Sequence, residues 1–169
     1  MRKKILAIVG ATLVAFAAFA KTPDTLDAKV RHELVMLPYL TLFDDLSYRV
    51  DGSTVTLFGQ VTEPVLKHDA EAVVKKIEGV SAVNDQIEVL PLSPMDNQIR
   101  WREYRAIFAY APLQRYSMGA LPSIHIIVRN GNVTLKGYVS TQMDKQLAYT
   151  RANGVPGVFS VTNDLQVER

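Results

Sequence analysis

The sequence predicts an α+β protein made of two tandem copies of one small unit. Each unit runs helix, strand, strand, helix, strand, as a three-stranded mixed sheet with two helices on one face. Three observations predict this. The chain repeats itself at an offset of 78 residues, with 11 identities in 35 ungapped positions between 55–89 and 133–167. Each copy carries Asp-Gly or Asn-Gly between β-rich runs, a strong short-range hairpin signal. An amphipathic helical stripe follows each hairpin.

Each element has its own signal. Val30, Leu34 and Leu37 in one copy, and Ile99, Ala106, Ile107 and Tyr110 in the other, mark a leading helix. Ser47 to Val50 and Ile124 to Arg129 are β-rich and lead into Asp51-Gly52 and Asn130-Gly131. The second turn reads as one residue shorter, a change that a duplicated hairpin tolerates. In the next strand Val55, Leu57, Gly59 and Val61 share a face, as do Val133, Leu135, Gly137 and Val139. A glycine on the buried parity suggests close approach by a helix. Thr62 and Ser140 are candidate N-caps. The second helix shows Leu66, Ala70, Val73 and Ile77 at i, i+4, i+7 and i+11, and Met143, Leu147, Ala148, Ala152 and Val155 in the other copy. Gly79 and Gly157 open the last strand. A sheet with both helices on one face is the economical packing of these elements.

Residues 1–20 stand apart. Arg2, Lys3 and Lys4 precede the uncharged run Ile5 to Ala20, which ends in Ala18-Phe19-Ala20. Sixteen residues fall short of the roughly 20 that span a bilayer core, so the segment reads as a secretory signal cleaved after Ala20. The expected organisation is signal 1–20, first unit 21–90, a stiff proline-containing linker 91–94 and second unit 95–169, with a periplasmic destination. Cysteine is absent, so neither disulfides nor thiol chemistry is available.

Charge is divided unevenly. Residues 21–94 hold seven Lys/Arg against twelve Asp/Glu, and residues 95–169 hold nine against five. The first unit is therefore acidic and the second basic, which bears on partners more than on fold.

The pattern Asp/Asn-Gly, Val-Thr-Leu-x-Gly-x-Val, amphipathic helix, Gly-Val-x-x-Val and a terminal Val resembles the BON domain, named for bacterial osmotically inducible and nodulation proteins. The resemblance covers nearly all of residues 21–169, twice. It is strongest over 50–89 and 128–167 and weak over each leading helix. It implies export to the periplasm and a phospholipid-binding or envelope-protein-binding module without catalytic residues. The second unit departs from it by inserting Gln114 to Ser123, either a binding element or a cover for the sheet edge.

Motifs for chemistry are scarce. His32, His68 and His125 have no metal-ligand spacing, and neither a nucleophile elbow nor a phosphate-cradling loop occurs. Asp44-Asp45 reads as a solvated turn. No catalytic residue, cofactor or metal is expected, and no nucleic-acid or small-molecule partner. The one constellation with functional content is Arg100, Trp101, Arg102, Tyr104 and Arg105, on the leading helix of the basic unit. An indole on the border between an apolar and a cationic face suits an anionic membrane surface. Envelope proteins are the other expected partner class. The alternative is a stress-associated chaperone-like or scaffold protein acting by protein contacts without lipid affinity: either the acidic first unit binds a basic partner, or the two units dock on each other and neutralise their charges.

Overall fold

The structure is a computed structural model, which describes residues 25–119 and 121–168. The expected signal segment lies outside the described residues. The first unit comprises α1 (Leu26–Val35), β1 (Asp45–Asp51), β2 (Thr54–Val61), α2 (Pro64–Lys75) and β3 (Ala82–Val89). The second comprises α3 (Pro94–Phe108), a 3-10 helix (Ala111–Ser117), β4 (Ile124–Arg129), β5 (Asn132–Val139), α4 (Gln142–Asn153), β6 (Ser160–Asn163) and β7 (Gln166–Val167). The predicted α+β duplication is thus present.

In each sheet the hairpin pairs antiparallel and the last strand joins the middle one in parallel, in the orders β1-β2-β3 and β4-β5-β6. The second sheet differs in one respect: its last strand is broken, so β6 and β7 both pair with β5 and the sheet has four strands. The same kink begins in the first unit, where Asp85 Oδ1 accepts from the Ile87 N–H at 2.8 Å without ending β3.

Alternation buries Val55, Leu57 and Val61 against Val30, Leu34, Leu66, Ala70 and Val74 in one core. It buries Val133, Leu135 and Val139 against Ile99, Ile107, Ala148 and Ala152 in the other. Two positions of the expected stripes move. Val74 rather than Val73 is fully buried, and Met143 is exposed while Asp144 beside it is buried.

Three local expectations are corrected. The hairpin loops have equal length, since Asp51 pairs with Thr54 and Arg129 with Asn132. They differ in type: Gly52 alone has positive φ (60°) in the first, whereas Asn130 (50°) and Gly131 (77°) both do in the second. Gly59 and Gly137 do not lie beneath a helix. A Cβ there would stand 2.0 Å from the carbonyl oxygen of Asp45, in β1, or of Ser123, just before β4, and φ is +122° and +104°. The N-caps also fall one residue later, at Glu63 and Thr141. The Thr62 and Ser140 amides are instead held by Asp44 Oδ1 (2.6 Å) and the Tyr116 hydroxyl (2.9 Å).

The inserted 3-10 helix packs inward, with Leu113 and Tyr116 in the second core. The Tyr116 hydroxyl donates to Asp144 Oδ2 at 2.9 Å, and Arg115 pairs with the same oxygen at 2.6 Å. Burial pushes the Asp144 carboxyl up, but hydrogen bonds from Thr141 and Tyr116 and the Arg115 charge hold it below the usual carboxylate range.

Candidate functional site

The two units dock, and the residues between α1 and β1 make the joint. Leu42 and Phe43 pack against the second core, and the Ile126 N–H donates to the Leu42 carbonyl at 2.8 Å. This places the segment along the outer edge of β4. Asp44 is not a solvated turn residue: it is 0% exposed. Its carboxylate accepts from the amide and hydroxyl of Thr41 (2.9 and 2.7 Å) and of Thr62 (2.6 and 2.8 Å). Its carbonyl oxygen lies 2.6 Å from His125 Nδ1.

Two ion pairs cross the joint, Lys136 with Asp45 at 2.6 Å and Arg129 with Glu88 at 2.7 Å. The acidic and basic units therefore meet with opposite charges matched. Ile127, on the opposite face of β4 from Ile126 and Val128, is nonetheless only 2% exposed. Its face-mates His125 and Arg129 both bond to the first unit, so the docked unit covers it.

Helix α3 carries the five residues singled out in the sequence and sorts them. Ser93 caps it, its hydroxyl accepting from the Asp96 N–H at 3.1 Å. Asp96 then accepts from the amides of Asn130 and Gly131 at 2.9 and 2.8 Å, tying the helix start to the β4–β5 turn. Arg100 is only 4% exposed. Its guanidinium donates to the Val128 carbonyl at 2.8 Å and to Asn97 Oδ1, and burial pulls its pKa down. Tyr104 is half-buried against the second core. Trp101, Arg102 and Arg105 face out, with Met95 and Gln98 on the same side.

Trp101 is 56% exposed yet packs on aromatic neighbours. Its ring meets Phe43 edge-on at 5.2 Å and Tyr104 at 5.8 Å, and Tyr104 continues to Phe108 at 5.3 Å. Arg102 donates to the Pro156 carbonyl at 3.1 Å. Tyr39 and Val65 line the groove that runs beside Trp101, so the exposed apolar rim draws on both units. Sequence reasoning missed Phe43, Tyr39 and Val65. The run Leu40-Thr41-Leu42-Phe43 is apolar without a helical or strand period, and that was the available signal.

At the centre of the inward face of α3 stands Glu103, 0% exposed, with neither carboxylate oxygen hydrogen-bonded among the described residues. Burial pushes its pKa up to about 8. Among the described residues no group of three His, Asp or Glu side chains is placed to hold a metal. No helix among them is long and apolar enough to cross a membrane.

The fold and its joint define a class: a duplicated α+β protein that, among the described residues, carries an exposed aromatic–cationic helix face. The BON domain family matches residues 23–91 and 111–169, and the chain belongs to that family. It is 30% identical over 127 residues to the osmotically-inducible protein Y of Escherichia coli (strain K12), an alignment covering 73% of this chain and 62% of that protein. The chain thus spans less than two thirds of the length of that relative. Among solved structures it is similar to the C-terminal domain of CdsD, the structural protein of the type III secretion system of Chlamydia trachomatis, at 14% identity and TM-score 0.31, over 85% of this chain and 98% of that one. A further structure of CdsD gives 13% identity and TM-score 0.30 over 85% and 93%. Likenesses this distant carry no functional weight. The leading helix α3 falls outside the second family match, so the aromatic–cationic face is read from this chain alone.

Proposed function

We propose that the chain is a non-catalytic binding module, exported to the periplasm with cleavage after Ala20, that meets anionic phospholipid surfaces through the outer face of α3. One observation carries this reading. Trp101 packs edge-on against Phe43 and Tyr104 with half its surface in solvent, and Arg102 and Arg105 flank it. An indole packed in this way loses little side-chain freedom on insertion, and the arginines supply attraction to phosphate headgroups. Docking of the units does not use this charge, because the matched cations are Arg129 and Lys136. Of the five α3 residues that the sequence singles out, Trp101, Arg102 and Arg105 would touch lipid, while Arg100 and Tyr104 support them from within. The name of the similar osmotically-inducible protein supports a role under osmotic stress.

The test is flotation of the chain beginning at Lys21 with vesicles of anionic or neutral phospholipid. Cofloating with anionic vesicles at low salt, lost near 1 M salt where the Debye length falls to about 3 Å, is the expected result. Failure to float with anionic vesicles at low salt would replace this reading with action by protein contacts alone.

A further inference from the structure

Strands β1 and β4 are the same strand of the repeat, yet their outer edges are treated differently. In a hairpin closed by a two-residue loop, the residues flanking the loop bond across the ladder, and alternate residues turn N–H and C=O outward. Asp51↔Thr54 and Arg129↔Asn132 flank the loops, so the backbone N–H and C=O of Leu46, Tyr48 and Val50 face the outer edge in β1, as do those of Ile124, Ile126 and Val128 in β4. In β4 this edge is occupied by the Leu42 carbonyl on the Ile126 N–H. Tyr48 is the counterpart of Ile126 at the 78-residue offset, and among the described residues no backbone carbonyl meets its N–H.

The open edge also faces a groove. Leu46, Ser47 and Tyr48 form one wall, and His125, Lys136 and Tyr138 of the second unit form the other, enclosing about 620 Å³. Lys136 is already paired with Asp45. Two further carboxylates line the groove, Asp27 and Asp164, and neither forms an ion pair among the described residues. The groove therefore has a strand edge open to main-chain partners, two tyrosine rings and an excess of negative charge.

We propose that this groove binds an extended, basic polypeptide segment of another protein as an added strand on β1. Main-chain bonds from Leu46, Tyr48 and Val50 provide the affinity, as in other strand additions, and Asp27 and Asp164 select lysine or arginine on the segment. The chain itself shows that such an edge takes main-chain partners, since its own Leu42 carbonyl accepts from the Ile126 N–H on the matching edge of β4. This site is separate from the outer face of α3, and its fate does not depend on the lipid reading.

The probe is the peptide acetyl-Lys-Val-Lys-Val-Lys-Val-amide, titrated into the 15N-labelled chain and followed by amide shifts and hydrogen exchange. Without peptide, the Ile126 amide is expected to exchange slowly and the Tyr48 amide fast. With peptide, the Tyr48 amide should become at least tenfold slower, with shifts at Leu46 and Val50. The Glu-Val counterpart and a backbone N-methylated Lys-Val peptide should each bind at least tenfold more weakly. Asp27→Lys with Asp164→Lys, both at the surface, should reverse the preference between the Lys-Val and Glu-Val peptides while leaving the fold unchanged. Equal binding of the Glu-Val or N-methylated peptide, or an unaltered preference in the double variant, would overturn the proposal. So would a Tyr48 amide protected in the peptide-free chain, whether by its own residues or by concentration-dependent pairing with a second copy.

Discussion

The two units share a sheet order, a strand register and the glycine pairs Gly59/Gly137 and Gly79/Gly157, but they use the connector before their first strand in opposite ways. In the first unit it leaves its own core, lays Leu42 and Phe43 on the second, and turns back through a buried Asp44. In the second it coils into the 3-10 helix and buries Leu113 and Tyr116 at home. The entry to the following helix is pinned at the same place in both, by the Asp44 carboxylate in one and the Tyr116 hydroxyl in the other. A duplicated unit thus keeps its sheet and varies what approaches the sheet edge. Because the first connector lies on the other unit, the β4 edge is closed and the β1 edge is open. Buried charge is divided unevenly too: Asp44 alone in the first unit, against Asp96, Arg100, Glu103 and Asp144 in the second, among the described residues.

The largest expected effect tests what the units share. Gly59→Val and Gly137→Val each place a Cβ against a backbone carbonyl at a φ that L side chains rarely adopt. Each should cost more than the ~1–3 kcal/mol of ordinary overpacking, measured by urea unfolding. Equal melting of variant and parent would mean that the strand backbone does not cross there.

The next effect separates the cores. Between the ordinary carboxylate range and pH 8, Glu103 holds its proton in the folded chain and not in the unfolded one. The cost of burying its charged form is therefore absent at low pH, where the folded and unfolded chains both hold the proton, and stability falls as pH rises towards 8, at about 1.4 kcal/mol per pH unit. Trp101, the only tryptophan, reports this in the second unit by fluorescence. Glu103→Met should raise stability and flatten its dependence from pH 5 to pH 8. A parent already flat over that range would show that Glu103 has a partner in solution.

A smaller effect tests the joint. Asp44→Asn weakens four hydrogen bonds to a charged acceptor, each worth about 1.5–3 kcal/mol at most. It should lower stability by on the order of 2 kcal/mol and red-shift Trp101 emission as Phe43 loosens. Destabilisation with unchanged emission would place Asp44 in the first unit's fold alone.

Much of this fold was legible in the sequence, because periods of two and 3.6 and a fixed offset are local signals. Both hairpins, both second helices and the duplication followed from them. The candidate site was only half legible. Helical angles place Trp101 at the edge of the apolar arc with Arg105 and then Arg102 beyond it, and all three side chains are exposed. Such angles cannot reveal that Arg100 turns in to the Val128 carbonyl, because that acceptor is 28 residues away. Nor can they reveal a buried Glu103 on the apolar face, where a charge is expected only with a partner. Asp44-Asp45 resembles a solvated turn because its partners Thr62 and His125 are supplied by tertiary structure. Gly59 and Gly137 stand out as sites of close approach, but parity cannot tell a helix from a neighbouring strand's carbonyl.

The proposed lipid contact is the outer face of α3 and not its inner arginine. The direct test is the salt dependence of vesicle partitioning for the full chain and for Arg102→Gln/Arg105→Gln. Each exposed basic residue near an anionic surface contributes about 1 kcal/mol, so the double variant should partition roughly 30-fold more weakly at low salt, with a shallower salt slope. Trp101→Ala should weaken partitioning at every salt concentration and leave the slope alone. A double variant with the parent's affinity and slope would contradict the account.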